Sequence, residues 1–164
     1  MTTLTTDRLT LRPHHLSDWP AFRDFYASDR AGFVGGPVGV RQAWWYFAGD
    51  RGHWDLHGYG WFMIEDATGV IGTCGPHFPA HHAEPEIGWF LFAGAEGRGY
   101  ATEAARAALD WAWTVIDAPR IVSYIDAGNT ASKRVAARLG AAWDGTMAAH
   151  DPACEVWVHE RPAA

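Results

Sequence analysis

The chain is short of lysine, of cysteine and of long apolar runs, and each shortage removes a class of protein. Lys133 is the sole lysine, and 13 basic residues stand against 19 acidic ones, a formal net charge of -6. A nucleic-acid-binding protein normally shows the opposite balance, with basic residues gathered on one face, so no nucleic-acid partner is expected. Cys74 and Cys154 are the only cysteines. They lie far apart with no C-x-x-C, which rules out a dithiol redox motif or a cysteine zinc site; both read as buried thiols. Residues 1–12 carry Asp7 and Arg8 and lack the apolar core of roughly 7–15 residues that a secretory signal needs. No apolar run approaches the roughly 20 residues of a membrane span. A soluble, cytoplasmic protein without a membrane partner is the expectation.

Internal repeats, low-complexity tracts and Ser/Pro-rich linkers are missing too. A length of 164 residues fits one domain, residues 1–164, better than two. A chain of that size buries roughly 70% of its unfolded surface, so it needs no disulfide framework or structural metal to hold a core. What it has in excess is tryptophan, 10 residues beside 8 Phe and 5 Tyr.

Local patterns divide the chain. Residues 9–12 alternate and stop at Pro13, as a short strand does. Ser17 reads as the N-cap of a helix with Trp19, Phe22, Phe25 and Tyr26 at helical spacing. Residues 41–56 read as a second helix, weakened near its end by Gly49 and Gly52. Residues 60–65 and 70–75 form a predicted hairpin. Residues 86–92, nearly all apolar after Glu86, suit a central strand covered on both faces. Residues 101–116 carry an alanine-rich stripe opposite Glu103, Arg106 and Asp110 and make the best helix of the chain. A strand at 121–125, a helix at 130–139 between the N-cap Asn129 and the terminating Gly140, and strands at 142–147 and 155–160 follow. The order β-α-α-β-β-β-α-β-α-β-β predicts an α/β fold whose mixed, mainly antiparallel sheet has helices on both faces.

The segment richest in chemistry is Gly94-Ala95-Glu96-Gly97-Arg98-Gly99-Tyr100-Ala101-Thr102-Glu103, between the apolar strand and the best helix. Its glycines allow positive φ and close approach of a ligand, and the helix that follows points free N–H groups and its positive dipole end at the turn. No Gly-Lys-Ser/Thr follows, and the spacing is not G-x-G-x-x-G. Two readings stand on these residues alone: a phosphate cradle, or a tight strand-to-helix turn.

Here the chain resembles the GNAT superfamily of N-acetyltransferases and, within it, the RimJ/RimL-like branch that acetylates ribosomal-protein N-termini. The resemblance rests on Asp7-Arg8-Leu9-Thr10-Leu11-Arg12, Glu86-Ile87-Gly88-Trp89, Gly97-Arg98-Gly99-Tyr100-Ala101-Thr102-Glu103-Ala104 and Asn129-Thr130-Ala131-Ser132 with Arg138-Leu139-Gly140. It implies acetyl-CoA as cosubstrate, with Gly97, Arg98, Gly99, Tyr100, Ala101 and Thr102 around the pyrophosphate. The pantetheine arm would enter between the strands at 86–92 and 121–125, and the thioester would meet the backbone near Leu91. Asn129 would contact the pantetheine, a role that competes with capping for one side chain. Two positions depart from the family pattern. Glu96 puts an anion at the first motif position, either offset by Arg98 or turned to solvent, and Ala136 stands where many relatives place a catalytic Tyr. RimL-type relatives use a Ser three residues after the Asn, here Ser132, which would protonate the CoA sulfur; the alternative is an ordinary first-turn residue.

For the general base the first candidate is Glu86, acting directly or through water, against the reading of a solvated strand end. His77, His81 and His82 lie nearby. Pro76 and Pro79 keep them off a shared helix face, so no metal is expected and a proton relay is the better role. Neither cysteine lies in the motif region, so the expected reaction is direct attack by a primary amine in a ternary complex, with no acyl-enzyme. The amine is the α-amine of a protein or a small molecule, and the enzyme a monomer or homodimer. A non-catalytic acyl-CoA-binding module is the competing reading, motivated by Ala136 and Glu96. Trp44, Trp45, Trp54 and Trp61 cluster on the acceptor side, either as core or as an aromatic wall able to hold a cation.

Overall fold

The structure, a computed structural model, describes residues 2–162. Its elements are β1 (Leu4–Thr5), β2 (Thr10–Arg12), α1 (Trp19–Tyr26), α2 (Val40–His57), β3 (Phe62–Asp66), β4 (Gly69–His77), β5 (Glu86–Leu91), α3 (Tyr100–Val115), β6 (Arg120–Asp126), α4 (Thr130–Arg138), β7 (Ala142–Ala148) and β8 (Asp151–Glu160). All eight strands form one sheet in the order β1-β2-β3-β4-β5-β6-β8-β7. Every pairing is antiparallel except β5 with β6, which is parallel. Among the described residues no helix is long and apolar enough to cross a membrane.

The α/β class and the helices on both faces match the expectation, and strand alternation shows how the layers arise. In β3, Phe62 and Ile64 join the core beneath α3 and α4, whereas Met63 between them joins the core beneath α1 and α2. In β5, Ile87 and Trp89 face the first core, and Phe90 packs against the second. A strand feeding two cores must be apolar at consecutive positions, which accounts for the unbroken run after Glu86. Ala104, Ala105, Ala108 and Ala112 of α3 are fully buried, and their small side chains let that helix sit close on the sheet.

Three local expectations change. The chain begins with an additional two-residue strand, β1, paired to β2. Ser17 caps nothing, because a 3-10 turn, Leu16–Asp18, intervenes before α1. Asp18 is the residue that counts there: buried, it accepts from the backbone of His15 at 2.7 Å and from both terminal nitrogens of Arg12 at 2.8 Å. Arg12 also reaches Glu65 at 2.6 Å, so a charge-assisted cluster fastens β2, β3 and the α1 approach together. Finally, α2 runs through Gly49 and Gly52 and stops at Gly58, whose φ of 77° forms a left-handed cap. Burial of Phe47 and Trp54 outweighs the low helix propensity of the two glycines. Cys74 is buried as expected, but Cys154 is only half-buried, because it lies near the start of β8 where the sheet opens to a cavity.

The parallel junction of β5 and β6 shapes everything downstream. Among the described residues their register is one pair, Glu86 with Val122, supported by a bond from Val122 N to Pro85 O at 3.0 Å. Ser123 then closes the base: its Oγ donates to Ile87 O at 2.7 Å and lies 3.0 Å from His159 Nε2. With the hydroxyl proton spent on Ile87, the serine oxygen accepts from His159, and the buried Nδ1 of that ring stays bare. Beyond Ile87 the two strands part.

Ser123→Ala would strand a buried carbonyl and a buried imidazole N–H, and it is expected to lower stability by about 1–3 kcal/mol, read as a lower urea midpoint. Burial also holds His159 down to about 4, and His14, pressed edge-on by Phe22 and Phe47, to about 4 as well. Their folded-state values lie below the unfolded one near 6.5, so the unfolded chain binds the protons first. Their contribution is intact above about pH 6.5 and is lost as pH falls toward 4. Urea midpoints measured from pH 7 to 4.5 should fall, and His14→Phe should flatten part of that slope; identical slopes would overturn the assignment.

Candidate active site

The parted strands open two cavities that run into one another. One, of 1020 Å³, lies between the turn before α3 and the start of α4; the other, of 390 Å³, lies beneath α2 and beside the β4–β5 connection. Phe33, Val34, Trp89, Phe90, Asn129 and Ser132 line both and so form the passage between them.

The larger cavity is built by the glycine turn. Gly94, Gly97 and Gly99 have φ of 86°, 75° and 78°, a left-handed geometry that glycine adopts without steric cost. The last of them is the N-cap position of the 16-residue α3, so the free N–H groups of the first turn and the helix dipole converge on the turn. Gly97, Gly99, Tyr100, Ala101 and Thr102 line the cavity, and so does Leu91 on the opposite wall. Arg98 does not line it: its carbonyl accepts from Arg8 at 2.9 Å, and Arg8 stacks on Tyr100 at 4.7 Å and pairs with Glu103. The N-terminal segment thereby fastens the turn to the first turn of α3.

Glu96 is exposed, as one of the two readings expected, and its ion-pair partner is not Arg98. It pairs with Arg30, and it accepts from the backbone N of Gly94 at 3.0 Å. Arg30 also donates to Leu91 O at 3.1 Å, bridging turn and strand. Sequence reasoning missed Arg30 because it lies far away in the chain, between α1 and α2. Further cations reach the cavity from Arg106, Arg134 and Arg138. Arg106 binds the carbonyls of Leu139 and Arg138 at 3.0 and 2.6 Å, tying α3 to the end of α4.

Strand alternation fixes what the gap sees of β5. Phe92 N donates to Ile71 O on β4 at 2.8 Å, and Ile87 O accepts from Ser123 of β6. The peptide groups of Ile87, Trp89 and Leu91 therefore face β6. Past the base there is no β6 ladder opposite them, so the N–H groups of Trp89 and Leu91 look into the passage.

At the other wall, Asn129 Oδ1 accepts from Ser132 N at 3.1 Å, so its capping role is real. That bond places Ser132 at the third position of α4, half-buried, on the passage. Ala136 is fully buried one turn later.

The smaller cavity is acidic and aromatic. Glu86 enters it from the first residue of β5, with His77 Nδ1 at 3.4 Å and His82 Nδ1 at 3.8 Å from its carboxylate. Prolines do keep these histidines off a helix, but antiparallel pairing of His77 with Glu86 brings them together instead. His81 is exposed. Burial holds His82 down to about 4, so its ring is neutral at pH 7. Asp50 also lines this cavity, and burial pushes its carboxyl up to about 7, with His77 opposing and Glu86 adding to the rise. The signal for Asp50 was an acid on the α2 stripe that carries Ala43, Phe47 and Trp54. Of the four tryptophans assigned to this side, Trp61 alone lines the cavity. Trp54 stacks on Trp111 in the core, and Trp44 and Trp45 are exposed. Cys154 lines the cavity, with its thiol pushed up to about 12 by burial and by Asp151.

Residues 8–142 match the family described as Acetyltransferase (GNAT) domain. A solved acetyltransferase from Agrobacterium tumefaciens str. C58 shares 42% identity and a TM-score of 0.93, over 98% of this chain and 95% of its own. YkkB of Bacillus subtilis (strain 168) is 36% identical over 96 residues, 55% of this chain and 56% of that protein, so the chain spans about half the length of this curated relative. The ribosomal L7/L12 α-N-protein acetyltransferase RimL, solved in complex with coenzyme A, shares the fold at 17% identity, with a TM-score of 0.78 over 97% of this chain and 98% of its own.

Gly88 leaves room for the cavity wall: a Cβ there would meet the Trp61 ring at 2.5 Å. Gly88→Ala should therefore cost about 1–3 kcal/mol in urea unfolding and rotate the Trp61 indole in a crystal structure. An unmoved ring at unchanged stability would show that this contact does not set the wall.

Proposed function

The chain belongs to the GNAT acetyltransferase family, and from that premise we propose that it transfers acetyl from acetyl-CoA to a primary amine by direct attack in a ternary complex. The observation that carries the reading is the passage itself: an anion-binding helix terminus and a carboxylate-lined cavity meet at Ser132 and the Trp89 backbone.

Each cavity fits one reactant. Gly97, Gly99, Tyr100, Ala101 and Thr102 offer backbone donors to a pyrophosphate, with Arg134 and Arg138 adding positive charge. The gap beyond Ile87 admits a thin pantetheine arm, which leaves the N–H groups of Trp89 and Leu91 to polarise a thioester carbonyl. Asn129 contributes its cap to that wall. Asp50, Asp126 and Asp151 line the other cavity together with Glu86, and Trp61 supplies an aromatic face, a setting that attracts a cationic ammonium.

Transfer needs a neutral amine, a polarised carbonyl and a protonated leaving thiolate. Glu86 takes the proton from the ammonium, directly or through water, with His77 and His82 as its neighbours. Ser132 delivers a proton to the CoA sulfur. Burial pushes the thiols of Cys74 and Cys154 up, which keeps both protonated near neutral pH and unsuited to an acyl-enzyme. A peptide α-amine is the first acceptor to test, since it titrates near 8 and asks little of the base. The RimJ/RimL-like motifs point the same way.

Purified protein incubated with acetyl-CoA and a peptide and amine library should release thiol, and mass spectrometry should find acetylated amines. Ser132→Ala and Glu86→Gln should each lower kcat by about 100-fold and move the calorimetric Kd for acetyl-CoA by less than about threefold. Tight acetyl-CoA binding with no product across the library would replace transfer by a binding module. Neither binding nor thiol release would end the reading.

A further inference from the structure

We propose that His77, His82 and Glu86 form a binding site for a borderline-soft divalent transition ion, with Zn²⁺ as the reference case, and that the bound ion closes the acceptor cavity. Only the second half rests on the acetyl-transfer reading.

The three groups come from one piece of sheet geometry. His77 is the last residue of β4 and Glu86 the first of β5, paired across the antiparallel ladder, while His82 sits in the connection between them. Their donor atoms all lie within 4.8 Å of one another. Tetrahedral Zn²⁺ with bonds of about 2.0–2.1 Å sets its ligand atoms roughly 3.4 Å apart. His77 Nδ1 to Glu86 Oε1 is 3.4 Å and His82 Nδ1 to Glu86 Oε2 is 3.8 Å, so both histidines already stand near ligand spacing from the carboxylate. Small ring movements complete the set, and His82 lies on a turn rather than in a ladder.

A second observation points to a ligand independently. His82 has a side chain only 8% exposed, yet among the described residues its Nδ1 has no hydrogen-bond partner, although it faces the carboxylate. A buried polar atom without a partner calls for a specific reason, and an ion accepted by that lone pair supplies one. Two imidazoles and one carboxylate select Zn²⁺, Co²⁺ or Ni²⁺ over Mg²⁺ and Ca²⁺, which prefer oxygen alone. His150, stacked on His82 at a ring distance of 4.2 Å, is a further imidazole beside the site, and the cavity side stays open. Occupancy takes Glu86 out of proton transfer and puts positive charge where a cationic amine would sit. The turn before α3 is untouched, so the ion should compete with the amine and leave acetyl-CoA binding alone.

The test uses the full chain stripped with chelator. Co²⁺ titration should raise visible absorption bands, and Zn²⁺ calorimetry should give one equivalent. His77→Ala and His82→Ala should each weaken binding by at least about 10-fold, with the circular dichroism of the metal-free protein unchanged, while exposed His15→Ala keeps wild-type affinity. His82→Gln, of similar size and without a second imidazole ligand, guards against a folding defect in the alanine variant. Equal affinity in wild type and His77→Ala/His82→Ala, or no binding by the wild type, overturns the site. If the site binds but Zn²⁺ leaves the amine KM unchanged, the closing role falls. If no amine is acetylated, the transfer reading falls while the binding result stands.

Discussion

One parallel pairing in an otherwise antiparallel sheet is the constraint on which the rest depends. Parallel neighbours need a crossover, and α3 is that crossover, so the helix whose N-terminus faces the glycine turn is the same one that makes β5 and β6 run side by side. The pairing then lasts for one residue pair and a serine hydroxyl before the strands part. Longer pairing would close the passage; none would let the two halves of the sheet slide. Ser123 and His159 hold the limit between these outcomes by satisfying Ile87 O with a side chain instead of a third strand residue. The opened N–H groups of Trp89 and Leu91 are polar surface that a folded protein normally pairs, and they are left available where a ligand would supply the partner.

Electrostatics are divided along the same opening. The chain is acidic overall, yet arginines gather at the larger cavity, and two of them, Arg30 and Arg106, are also bound to backbone carbonyls or a carboxylate that fix their position. Net charge therefore says little about the larger cavity, where local donors decide. Glu96 illustrates the point: as an isolated residue in the motif it opposes an anion, but paired with Arg30 it becomes part of a neutral strut between the turn and β5. In the smaller cavity Glu86 stands against histidines rather than arginine, and Asp50 is raised there chiefly by burial, with a smaller contribution from Glu86.

What could be read from the sequence was whatever is written locally. Gly97, Gly99 and Asn129 carry their geometry in their own residue types, and the nearly unbroken apolar run after Glu86 announces a strand covered on both faces. Ser132 was legible because its place depends on the cap three residues before it. Arg30 and His150 were not, because each reaches the cleft from an element distant in the chain and looks like an ordinary surface residue in its own segment; Asp50 differs, since its place on the apolar stripe of α2 marks it as inward-facing. The tryptophans were legible only in part. Their crowding in residues 44–61 left core and wall both open, and a helix distributes adjacent residues around its axis, so Trp54 went to the core, Trp44 and Trp45 are exposed, and Trp61 lines the cavity.

Glu86 is where these constraints meet. It is the β5 residue paired with Val122 at the base of the opening, and across its other edge it is paired with His77. Its position along the strand is therefore set twice, by the register that opens the passage and by the register that places a histidine against its carboxylate. A slip of one residue in either ladder would turn the side chain to the opposite face. The distance from the acidic group to the exposed backbone of β5 is thus fixed by the strand's own rise, and the group proposed to handle the amine proton cannot be displaced without also moving the gap through which the acetyl donor would enter.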